Sequence, residues 1–77
     1  MNHAARTREL ADAVRRTLKA HRFQMEDATR LGIARDALNV GDTYTALYAL
    51  EAVERKLQEK LTAVRGLCRK TAEGLAE

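Results

Sequence analysis

From Leu47 onward the chain repeats in steps of three and four. Leu47, Leu50, Glu54, Leu57, Leu61, Val64, Cys68, Thr71 and Leu75 fall on one stripe of an α-helix, with Glu54 the one charge in it. Val53 and Leu67 widen the stripe. Just before it, Gly41 suits the left-handed position that closes a helix, and Asp42 or Thr43 supplies an N-cap for the next one. The spacing predicts a helix over residues 43–75, about 50 Å long at 1.5 Å per residue. A rod of that length needs a partner along its side.

The first half carries the same alternation. Ala11, Val14, Leu18, His21, Met25, Ala28 and Gly32 keep the frame, flanked by Leu10, Leu31 and Leu38. The frame passes through His21-Arg22-Phe23-Gln24 without a slip, and none of those residues is a helix breaker. There is no proline in the chain. The pattern therefore predicts an all-α fold, a long antiparallel hairpin with helices over 4–39 and 43–75, forming one domain across residues 1–77. The alternative is a three-helix bundle with a turn near 21–24. In the hairpin, Gly32 faces Ala49, Ala28 faces Val53 and Leu18 meets Val64.

Such a hairpin has more apolar surface than one seam can bury. Ile33, Tyr44 and Tyr48 fall off the seam near the turn, and so does Phe23, the only phenylalanine. These four residues are the expected dimer interface, because a second apolar face has to meet another chain or remain as an exposed patch. Pairing of two hairpins into a four-helix bundle is the expected assembly, which makes the chain a homodimer.

Size supports that expectation. A chain of 77 residues lies near the length at which one core just offsets chain entropy, and a lone Cys68 offers no disulfide within the chain. No apolar run is long enough for a membrane span and no secretory leader pattern is present, so the expected location is cytoplasmic, without membrane partners.

The net charge of +3 is unevenly distributed. Residues 1–22 carry a net +4, residues 23–59 a net −3 and residues 60–77 a net +2. In the hairpin both basic segments meet at the open end and the acidic balance lies toward the turn. Arg15, Arg16, Lys19 and Arg22 on one arm then match Lys60, Arg65, Arg69 and Lys70 on the other, and these eight are the candidate nucleic-acid contacts. Neither a helix-turn-helix nor an aromatic stacking platform accompanies them.

Catalytic chemistry finds little footing. His3 and His21 would lie about 27 Å apart on a continuous helix, and no His or Cys pair has metal-ligand spacing. His21 reads as a partly buried structural residue and Cys68 as a small core filler. Glu54 reads either as a register-fixing polar residue, paired with Arg30 or another cation, or as turned outward by a slight helix rotation that gives Val53 the buried place. No nucleophile constellation or phosphate-binding loop occurs, and the expectation is a non-enzyme without cofactor or metal.

No family motif is present. The expected shape is analogous to Rop-type hairpin dimers, which bind paired RNA, in architecture and without shared residues. The Gly41-Asp42 turn with Tyr44, Ala46 and Ala49 is similar to one helical pair of a tetratricopeptide repeat, without the flanking repeats. Neither likeness assigns a function. The sequence points first to a self-associating accessory module with an unidentified protein partner, and second to a nucleic-acid-binding regulator using the basic open end.

Overall fold

The computed structural model describes residues 2–76; Met1 and Glu77, the ends of the expected domain, lie outside the described residues. Among the described residues three helices make up the regular structure: α1 (His3–Ala20), α2 (Met25–Asn39) and α3 (Thr43–Ala76). The all-α class read from the periodicity is the observed one.

The central turn forms as its residues dictate. Gly41 adopts φ +79°, and its N–H donates to the Leu38 carbonyl while the Asp42 N–H donates to that of Ala37. This pair of bonds is the Schellman closure of a helix, which depends on the left-handed residue. Asp42 then caps α3, accepting the Thr45 N–H at 3.1 Å and the Thr45 hydroxyl at 2.6 Å.

The helix expected over 4–39 is in fact two helices. His21 and Gln24 are both extended, with ψ of 151° and 153°, and the chain reverses between Ala20 and Met25, as in the three-helix alternative. Tertiary burial overrides the local pattern here. Folding α1 back along α2 buries Thr7, Ala11 and Val14 in one core with Leu31, Ala34, Ala37, Leu38, Ala46, Ala49 and Val53, and half-buries Phe23 against it. Burying a valine, leucine or phenylalanine contributes about 1.5–3 kcal/mol each. The helical hydrogen bonds given up at the break are worth about 1 kcal/mol apiece, and histidine and phenylalanine are weak helix formers.

In consequence α2 is the central element, with α1 and α3 both packed against it. The His3 ring reaches the Gly41 carbonyl at 3.3 Å, so α1 starts beside the α2–α3 turn and runs parallel to α3. At the opposite end Glu26 pairs with Lys56 at 2.8 Å, and the Lys60 ammonium donates to the Gln24 side chain at 2.9 Å. Beyond Lys60 the two other helices have ended. The last 16 residues of α3, about 24 Å of helix, continue alone.

Several expected core positions change with the topology. Met25 and His21 are exposed, because they sit at the helix break and not on a continuous seam. Cys68 is exposed as well, since no other helix reaches its level on α3. A Cβ on Gly32 would meet only the tip of Arg35, at 3.7 Å, so this glycine permits no close helix approach.

Candidate interaction surface

α1 and α3 lie side by side on α2 and leave a groove between them. Its upper part, about 390 Å³, is lined by Leu10, Val14, Leu31, Leu38, Leu47 and Leu50. Its lower part continues past Thr17 and Phe23 to Leu57 and Leu61. From there the apolar stripe passes onto the projecting part of α3, where Val64, Leu67 and Leu75 are all exposed. Seam residues that periodicity assigned to an intramolecular contact thus have no helix of their own chain over them: Leu47 is 54% exposed, Leu61 43% and Val64 55%.

Of the four residues expected at a dimer interface, one lines the groove and three do not. Phe23 lines the lower groove and packs on its own core. Tyr44 and Tyr48, one turn apart on α3, are 88% and 80% exposed and line none of the groove, and Ile33 on α2 is half-exposed. The groove-lining Leu10, Leu47, Leu50 and Leu57 were missed as a surface. Three of them, Leu47, Leu50 and Leu57, stand on the seam of α3, and a seam marks an apolar face without marking that no helix of the same chain covers it.

The basic residues are rearranged too. Arg15, Arg16, Lys19 and Arg22 lie toward the end of the body where Gln24 holds Lys60, whereas Arg65, Arg69 and Lys70 stand further out on the projecting helix. Arg15 is engaged by Asp12 at 3.4 Å. Glu26 and Asp27 belong to this same end, opposite Gly41, and not to the turn as expected. Arg30 pairs with Glu26 at 2.8 Å and approaches the buried Asp27 carboxylate at 3.9 Å, so it is not the partner of Glu54, which is exposed. The hydrogen bond from Lys56 and its charge, reinforced by Arg30, hold the Glu26 carboxyl below its ordinary range.

Among the described residues no group of three His, Cys, Asp or Glu side chains could hold a metal ion. No helix among the described residues is long and apolar enough to cross a membrane. No protein-family profile matches the chain, and no curated protein or solved structure shows significant similarity to it.

Proposed function

We propose that the chain is a non-enzymatic helical interaction module that self-associates, and that its working surface is the apolar stripe running from the α1–α3 groove onto the projecting half of α3. The observation that carries this reading is the amount of uncovered surface. The chain exposes 6315 Å², whereas a compact monomer of 8.6 kDa exposes about 4,700 Å² by the usual size scaling. The excess of about 1,600 Å² on one chain is about twice the roughly 800 Å² that each partner contributes to a standard protein–protein interface. The shape agrees: the radius of gyration is 16.9 Å, against about 11–12 Å for a compact chain of this length. Much of the stripe is leucine and valine, and a patch of that kind favours association over solvation.

Thermal unfolding at several protein concentrations tests this. Association linked to folding raises the melting temperature with concentration; a melting temperature that does not move over a hundredfold range contradicts it.

A second reading rests on the projecting helix, where Arg65, Arg69 and Lys70 are exposed and the span from Lys60 to Lys70 contains no acidic residue. Cations without interleaved acids can contact a phosphate backbone. A titration with RNA and DNA at about 150 mM salt separates the readings. The interaction module binds no tighter than the non-specific range of roughly 10⁻⁴ to 10⁻⁶ M, while a nucleic-acid regulator gives a tight, steeply salt-dependent complex.

A further inference from the structure

The seam of α3 is a palindrome. From Leu50 to Leu75 the residues are Leu50, Glu54, Leu57 and Leu61, then Val64, Cys68, Thr71 and Leu75. The steps of four and three read the same in both directions, and so does the polarity, with one polar residue second from each end. We propose that the occupant of the lower groove is the projecting half of α3 from a second copy of this chain. The two α3 helices run antiparallel about a two-fold axis between Thr62 and Ala63. This inference rests on the self-association reading and specifies its geometry.

In this register Leu61 meets the partner's Val64 and Leu57 meets the partner's Cys68. Glu54 meets the partner's Thr71, and Leu50 meets the partner's Leu75. Each polar seam residue thus faces the other polar one, and each layer between them is apolar. A shift by one heptad toward the N-terminus would set Glu54 against Val64 and leave the palindrome unmatched, which costs a desolvated carboxylate against an aliphatic wall. Facing residues on antiparallel helices of this spacing interdigitate as in coiled coils.

Charge supports the antiparallel sense. Residues 43–59 of α3 carry a net −1, with Glu51, Glu54 and Glu59, whereas residues 60–76 carry a net +3, with Arg65, Arg69 and Lys70. Antiparallel pairing lays the acidic half of each helix along the basic half of the other; parallel pairing stacks the basic halves together. The dimensions agree as well. The partner's helix from Val64 to Leu75 spans the levels of Leu61 to Leu50, the stretch of α3 that lines the lower groove beside Phe23 and Leu31.

The chain's own cysteine provides the test. With the axis between Thr62 and Ala63, the two native Cys68 sulfurs are offset by 11 residue positions along the helices, about 16 Å, and the backbones about 19 Å apart once the interaxial distance is added. Leu57→Cys, by contrast, places a thiol opposite the partner's Cys68. Mild oxidation with copper–phenanthroline followed by non-reducing electrophoresis is run on the unmodified chain, L57C and L50C. The expected result is a covalent dimer from L57C and little from the other two. A covalent dimer from the unmodified chain indicates parallel pairing and overturns the proposal, and one from L50C in place of L57C indicates the shifted register and overturns it equally. Spin labels on the native Cys68 give a second measurement that requires no substitution: a separation near 20 Å supports the geometry, and one near 10 Å contradicts it. Sedimentation of the same samples distinguishes the two levels of failure. A dimer that L57C does not cross-link rejects this register alone, whereas a monomer throughout rejects self-association itself.

Discussion

Gly32 and Gly41 are the same residue type in opposite situations. Gly41 occupies a left-handed conformation that an L side chain adopts at a cost of about 1–2 kcal/mol, whereas Gly32 lies within α2 with room for a methyl group. Gly32→Ala is therefore expected to raise stability by about 0.5–1 kcal/mol and Gly41→Ala to lower it by at least as much. Chemical denaturation of the two variants side by side checks both signs. Two carboxylates, Glu26 and Asp42, link stability to pH. Glu26 is held low by Lys56 and then Arg30, and Asp42 by the Thr45 hydroxyl and N–H. A depressed folded-state pKa contributes stability that is present above the ordinary values of 4.5 and 3.8 and is lost as pH falls through the depressed ones. Thermal stability should thus be level above about pH 5 and decline below about pH 4. Glu26→Gln should make that decline shallower, which a pH series of melts would show.

Among the elements, α3 was the legible one and α1–α2 was not. Gly41 and Asp42 punctuate the start of α3, and its seam is unambiguous, so its expected span of 43–75 agrees with the observed Thr43–Ala76. The reversal at 21–24 has no local signature. His21-Arg22-Phe23-Gln24 contains neither glycine nor proline, and the three-four count runs across it unbroken although the backbone leaves the helix. What decides the break is burial of Ala11 and Val14 with Leu31, Ala34 and Leu38, a long-range gain that periodicity cannot register. The groove was hidden for the same reason, because a seam shows that a helix is covered without showing by what. Proline tests the break directly. Met25 is the first residue of α2, it is exposed, and the Gln24 before it has the extended backbone that a following proline requires. Met25→Pro should change stability by less than about 1 kcal/mol, whereas in an uninterrupted helix it would cost about 3 kcal/mol or more.

As a whole molecule, the chain is a small three-helix body with a long amphipathic arm, measuring 59 × 27 × 21 Å. Body and arm share one apolar face, and the proposed function follows from the need to cover it. Leu61 lies where the groove passes onto the arm and is partly exposed in the single chain. Leu61→Glu should leave the helical content of the body intact while weakening association at least thirtyfold, as expected when a central apolar contact worth about 2 kcal/mol or more is lost. Circular dichroism and gel filtration of the variant report the two effects separately. The expected interface of Ile33, Tyr44 and Tyr48 makes a competing assignment, since those side chains lie outside the groove and Leu61→Glu would leave a dimer built on them undisturbed. Self-association of the unmodified chain is the property on which the proposed surface depends. Sedimentation equilibrium at micromolar concentration should return twice the 8.6 kDa chain mass, and a single compact species of 8.6 kDa across the accessible concentration range would contradict it.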